Sequence, residues 1–402
     1  MATLSSIIES HGGLIQTGPF GSQLKQAEYT PDGIPVVMPK DIIGGTICTD
    51  NIARVSEQKA EQLSRHALKA GSIIFPRRGD IGKCALITGE TEGFLCGTGC
   101  IKIEMPPDKI DSDFLYYYLI QPDVTAWLEN NAIGSTMLNL NTQVLGRLET
   151  PDLSLEQQKA ISSVGKSYDL LIQNNHRRIQ LLEESARLLY QEWFVHLRFP
   201  GHEHAKLSDG LPLGWEQKPL TDIAKVNEES LKKGFQERIE YIDISSVSTH
   251  AINETTWYEF ADAPGRARRV LQHGDILWSC VRPNRRSHAL VIEPHDRLIA
   301  STGFAVISAK TVSPYFLYQA LTTNDYVGYL TNNASGAAYP AVTGKVFEKS
   351  TITVPSQNLI AEYDKITQDI YRHMWGLKQH SEKLAQARDL LLPRLMNGEL
   401  TP

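Results

Sequence analysis

The sequence predicts an α+β protein built as two tandem copies of one unit, each a compact mixed domain followed by a long helix, with the two helices antiparallel. Two observations carry this. The chain repeats itself at a spacing of about two hundred residues, and each copy ends in an apolar pattern that recurs every seven positions. The length of 402 residues agrees, because single cores stop growing near about 250–300 residues.

The repeat is visible in short stretches. NNAIGSTMLNLN, from Asn130 to Asn141, returns as NNASGAAYPAVT, from Asn332 to Thr343, with Gly134 on Gly336 at an offset of 202. FLYYYL from Phe114 meets FLYQAL from Phe316 at the same offset. Further upstream KAGSIIFPRRG meets LQHGDILWSCVRP, with Gly71 on Gly274 at 203. Repeats of this kind decide a fold and must be found first.

Within each copy, β-branched runs (GIPVVM, SIIFP, CALIT, CIKIEM and, later, HALVIEP) are separated by Gly, Pro and Asp turn residues, the mark of short strands. One short amphipathic helix is predicted over DSDFLYYYLIQPDVTAWL. A long helix then follows a proline-marked strand end, ETPDLS in one copy and TVPSQN in the other. From Leu155 to about Leu197, Ile161, Tyr168, Asn175, Leu182 and Leu189 recur every seven residues, with Val164, Leu171 or Ile172, Ile179, Ala186 and Trp193 on a second seam. In the other copy Tyr363, Ile370, Leu377, Leu384 and Leu391 recur in the same way, with Ile366, Met374, Ala387 and Leu395 nearby. Such recurrence is a coiled-coil pattern, and an Asn on the seam fits register control. About 43 residues would make a rod of roughly 64 Å. The boundaries drawn are a first domain over 1–153, a helix over 154–199, a second domain over 200–356 and a second helix over 357–398.

Composition narrows the function. A net charge of −6 argues against tight, unaided binding of nucleic acid. Five scattered cysteines suit a reducing cytoplasm, and Cys96 and Cys100 lack partners at zinc spacing. No leader-like or membrane-spanning run is present. There is no GxxxxGK[ST] loop, GDIGKC having the wrong spacing. No Asn- or Asp-led Pro-Pro-aromatic loop is found, since MPPD lacks both flanks. The HEH of His202 to His204 reads as linker. No catalytic residue, metal site or cofactor of this chain's own emerges.

The whole length resembles the specificity subunit of Type I restriction-modification systems. The stretches that carry the resemblance are IQTGPFGSQLKQAEYTPDGIPVVMPKDI, LPLGWEQKPLTDIAKV, GSTMLNLNTQVLGRLETPDLSLEQQKAI and ARDLLLPRLMNGEL, in that order. One departure is the start: the P-x-GW of Pro212 to Trp215 has no counterpart before ATLSSIIESHGG, so the first domain's edge is expected to be shorter or differently built. The resemblance implies two target recognition domains, each reading half of a split double-stranded DNA site, and helices that set their separation. It also implies two methyltransferase subunits docked on those helices, which bring S-adenosylmethionine and methylate adenine, and restriction subunits when present. The helix candidates for docking are Tyr168, Leu171, Leu182, Leu189, Trp193, Ile370, Leu377, Leu384 and Leu391.

Candidate DNA contacts come from polar and basic loops. In the second copy, Arg266, Arg268, Arg269, Arg282, Arg285 and Arg286 stand against Asp262 and Asp275; in the first, Arg77, Arg78 and Lys83 stand against Asp80. The repeated small-residue loops add Ser135, Thr136, Asn139, Asn141 and Gln143, with Thr142, in one copy, and Tyr339, Thr343 and Lys345 in the other. The early TGPFGSQLK loop adds Ser22, Gln23 and Lys25. Two plainer readings stay open: an exposed charged turn, and a loop that only caps a helix. A self-contained methyltransferase-nuclease and a protein-binding scaffold remain the competing functions.

Overall fold

The computed structural model describes residues 2–134, 138–208, 210–232, 234–336 and 338–402. The chain divides into two compact units: Met1–Asn174 with His380–Pro402, and Asn175–Gln379. Each therefore draws on both long helices, Leu155–Tyr190 and Gln357–Met396.

Among the described residues each unit holds two four-stranded sheets, one of which has the same strand order in both. In the first unit an antiparallel sheet runs in the order Leu14–Thr17, Cys100–Glu104, Ile73–Pro76, Ala85–Leu86. In the second, Ala224–Val226, Phe304–Ala309, Ile276–Ser279 and His288–Leu290 repeat that order. The other sheet of each unit contains one parallel pair, Ile34–Val37 with Leu95–Cys96 and Arg238–Ile242 with Leu298–Ser301. The strands are buried on both faces where the sequence runs apolar, as in IIFP and ILWS, which explains why these stretches lack alternation.

The predicted single amphipathic helix is two helices, Ser112–Leu119 and Pro122–Asn131. Pro122 forces Gln121 into extended backbone (φ −66°, ψ 142°) and then opens the next helix from its first turn. Asp111 caps the first of the pair, accepting from the Phe114 amide at 2.9 Å. The same arrangement returns as Pro314–Thr322 and Asn324–Asn332, capped by Ser313 and Thr323. The first unit's edge is indeed reduced: Ala2–Thr3 pairs with Glu149–Thr150 over two residues, whereas Glu216–Pro219 pairs with Thr351–Val354 over four.

The long helices complete the cores. In the first unit Ile161, Leu392, Leu395 and Met396 close over Phe114 and Tyr117. In the second, Ala186, Tyr190, Trp193 and Phe194 join Phe316, Trp215 and Tyr363. The first helix is α-helical to Tyr190, and its last turn, Gln191–Val195, is π-helical. A π turn shifts the following side chains around the axis, and here Trp193 and Phe194 are both buried against Tyr363.

Candidate nucleic-acid interface

Both units join the same two loops in the same way. In the first, the strand end at Arg77 and Arg78 meets the loop after Gly134: Leu140 N–H donates to Arg77 O at 2.8 Å, and Arg78 bridges to Asn139. In the second, Val342 N–H donates to Cys280 O at 2.8 Å, and Val281 bridges to Ala341. These partners sit at the sequence offsets of 203 and 202. Each later loop also closes on itself, Ile133 with Asn139 and Ser335 with Ala341. Gly134 and Gly336 take φ of +116° and +100° at the mouth of that closure. A Cβ at Gly336 would come within 2.9 Å of Tyr339 O, so the repeated glycine has a backbone cause.

Side chains differ where the backbone agrees. Arg77 Nε donates to Asn139 Oδ1 at 3.2 Å, while Arg78 is exposed. Lys83 forms an ion pair with Asp80 at 2.7 Å, which reduces its charge as a DNA contact. Asn141 Oδ1 accepts from Val144 N–H at 2.8 Å, so its side chain caps the helix Thr142–Gly146. Gln143 is exposed on that helix. Ser135 and Thr136 lie outside the described residues. In the second unit Arg282 lies over the Tyr339 ring, 4.7 Å from its centroid. Tyr339 itself is 69% exposed, and Thr343 and Lys345 are exposed beyond it.

The remaining basic residues separate into exposed and engaged groups. Arg266 and Arg285 are exposed. Arg268 donates to Ala267 O and stacks on Phe260. Arg269 donates to Ser230 Oγ, and burial lowers its pKa. Arg286 donates to Asn324 Oδ1 at 2.6 Å and, with Arg187, Gln191 and Thr323, lines a cavity of about 60 Å³. Nearby, Tyr318 Oη lies 2.7 Å from His250 Nδ1 and 3.1 Å from His288 Nδ1. Burial, and then the positive charges of Arg187 and Arg286, push His250 down to about 4; burial, then His250 and Arg286, push His288 down to about 3. Both rings are therefore neutral at pH 7. In the early loop Ser22 and Lys25 are exposed, whereas Gln23 Oε1 accepts from Phe20 N–H at 3.1 Å.

On the helices, Trp193 and Leu377 are buried inside the second unit, so these two docking candidates serve its own packing. Tyr168, Leu182, Leu189, Ile370, Leu384 and Leu391 are half-buried, and Leu171 is exposed. The outward apolar residues of the second unit's first helix segment are instead Leu181, Leu188 and Val195, again seven apart. The first unit exposes Leu170, Leu171 and Leu390. A seven-residue period fits both stripes, and only the position of the core separates them. A second surface that the sequence did not suggest surrounds Trp257, which stacks on His295 and lies 5.1 Å from the Arg238 guanidinium and 5.3 Å from that of Arg297. Its signal is only the alternation of TTWYEF. Among the described residues no group of three metal-ligating side chains occurs, and no helix is long and apolar enough to cross a membrane.

Residues 19–184 match the family described as Type I restriction modification DNA specificity domain. Over 393 residues the chain is 24% identical to the Type I restriction enzyme MjaIX specificity subunit of Methanocaldococcus jannaschii, covering 94% of this chain and 89% of that one. It is 21% identical to the HindI specificity subunit of Haemophilus influenzae, covering 90% and 93%. The crystal structure of a Type I restriction-modification S subunit from M. genitalium shares the fold, with a TM-score of 0.53 and 18% identity over 98% of this chain and 94% of the other. The resemblance read from the sequence is thereby shown.

Proposed function

We propose that this chain, whose residues 19–184 match the DNA specificity domain of Type I restriction-modification systems, is the non-catalytic recognition subunit of such a complex, each α+β unit reading one half of a split double-stranded DNA site. The observation that carries this is the doubled loop junction. Two copies keep the backbone joint and exchange the side chains presented on it, Arg78 and Asn139 in one and Arg282 and Tyr339 in the other. That is what two readers of different sequences on one scaffold require, since backbone geometry positions and side chains specify.

Arg78, Arg266, Arg285, Lys25 and Lys345, all exposed, supply phosphate contacts in this reading. Arg282 and Tyr339 approach base edges. The net charge of −6 then means that strong binding needs partner subunits closing around the duplex. Two methyltransferase subunits, holding S-adenosylmethionine, dock on the outward apolar residues of the long helices: Leu181, Leu188 and Val195 in one unit, Leu170, Leu171 and Leu390 in the other. Patches in both units support a two-partner complex, joined by restriction subunits where these are present and working in the cytoplasm. The helices act as an antiparallel spacer that sets the gap between half-sites; a rod of roughly 64 Å is a little under two turns of B-DNA.

The test is a map of methylated adenines in cells that express this chain with its methyltransferase, against cells with the methyltransferase alone. A split motif with a fixed gap, present only with this chain, is the expected result. A stable complex that methylates nothing sequence-specific sinks the assignment and leaves the scaffold reading.

A further inference from the structure

We infer that Arg282 is a guanine-reading residue of the second unit, held in its reading position by Tyr339; this rests on the DNA-recognition reading above. The position is constrained at every point. Arg282 takes a left-handed backbone (φ 51°, ψ 62°), uncommon for a residue with a side chain. That strain is maintained by the loop junction, because its N–H donates to Pro340 O at 2.7 Å. Strain held in place by surrounding contacts is a feature of functional sites.

The guanidinium is fixed as well. It stacks over the exposed Tyr339 ring, and Nη2 reaches Ala338 O at 3.4 Å. Stacking fixes the plane of the fork and leaves most of its N–H groups directed outward. Of the neighbouring arginines, Arg286, also left-handed, is engaged by Asn324, and Arg269 by Ser230; Arg268 is stacked on Phe260 and bonded to Ala267 O, but it lies within the strand Ala267–Val270 and not at the loop junction. Among the described residues exposed Arg285 has no ring or acceptor holding it, which suits a pliable phosphate contact. A phosphate does not require a fixed plane. The paired acceptors of guanine, N7 and O6, do, and a planar arginine fork matches them bidentately in the major groove.

Among its described residues the other unit lacks the device. Aligned through the equivalent bridges Arg78 with Asn139 and Val281 with Ala341, the position of Arg282 falls on Gly79, which carries no side chain. Arg77 in that unit points its Nε into Asn139. The fixed guanine contact is therefore assigned to the half-site of the second unit.

The experiment uses the full chain assembled with its methyltransferase, and reads the methylated motif for wild type, R282A, R282K, Y339A and Y339F. R282A is expected to reduce discrimination at a single G·C position of one half-site by roughly 5- to 150-fold. The other positions and the other half-site should keep their preference. R282K, which keeps charge without the fork, should lose discrimination at that same position and carries the test should R282A not assemble. Y339A should weaken the same position, while Y339F, which keeps the ring, should retain it. An unchanged motif methylated less overall, with a shallower dependence of binding on salt, makes Arg282 a phosphate contact and overturns the inference. An unchanged motif at unchanged levels also overturns it. Wild type giving no split motif at all is a different failure, that of the DNA-recognition reading itself.

Discussion

Replacing Leu181, Leu188 and Val195 together with alanine separates a docking face from a core face that lies one residue away. The three side chains are 50%, 46% and 50% exposed. Fully burying a Leu or Val is worth about 1.5–3 kcal/mol, so covering the exposed half of each gives about 0.8–1.5 kcal/mol. Three such residues contribute about 2–4 kcal/mol, or roughly a 30- to 700-fold change in Kd. The free chain should hardly notice, since exposed substitutions stay within about 0.5 kcal/mol. Titration calorimetry of the full chain against the methyltransferase gives the affinity, and urea unfolding gives the stability. The matched control is L189A, whose side chain packs on the second unit's aromatic cluster; it should lower stability by about 2 kcal/mol instead. If the triple variant binds the methyltransferase within threefold of wild type while remaining folded, the outward stripe is not the docking face.

Three further outcomes follow from charges and hydrogen bonds. Burial pushes Glu183 up to about 7, above its unfolded value, so the folded chain holds an extra proton between the two and loses stability as pH rises through about 7. E183Q should therefore match wild type in Tm at pH 5 and exceed it at pH 8; an equal gap at both values would falsify the titration. His250 and His288 act in the opposite sense: held neutral below their ordinary range, they make unfolding easier as pH falls below about 6.5. An H288N variant should accordingly show a flatter fall of Tm between pH 6.5 and 4. Asp169 accepts from both the Tyr117 hydroxyl, at 2.6 Å, and the mostly buried Arg388. D169A leaves the Tyr117 hydroxyl without its acceptor and Arg388 with Asp389 alone, and should cost the first unit about 1–3 kcal/mol in urea unfolding; a double-mutant cycle with R388A that returns additive losses would show the pair to be uncoupled.

The repeat was readable because glycine at a positive φ, an aromatic run and a proline-marked strand end leave traces in sequence that survive side-chain exchange. Gly134 and Gly336 carried the register, and the structure joins the loops around them at the offsets they implied. What was not readable depends on direction instead of spacing. Leu181 and Leu182 begin stripes of equal period, and only Tyr190, Phe316 and Tyr363 on one side decide which is buried. Likewise the Arg286 charge and the Asn141 amide read as free polar groups until Asn324 and the Val144 amide are seen to engage them. The break at Pro122 was legible in principle, but the apolar pattern continues across it and concealed the joint.

The division of the chain has a consequence for its birth on the ribosome. Residues 1–174 emerge first, yet the core that they begin around Phe114, Tyr117 and Ile161 is closed by Leu392, Leu395 and Met396. The second unit, Asn175–Gln379, is contiguous and is synthesised before those three side chains. Synthesis at about 5–20 residues per second puts roughly ten to forty seconds between residue 174 and Leu392. During that interval the apolar face of Phe114 and Tyr117 waits for its cover. A chain truncated after Gln379 would thus keep every residue of the second unit and leave the first unit's core open, and limited proteolysis would cut between residues 112 and 170 before it touched 276–330.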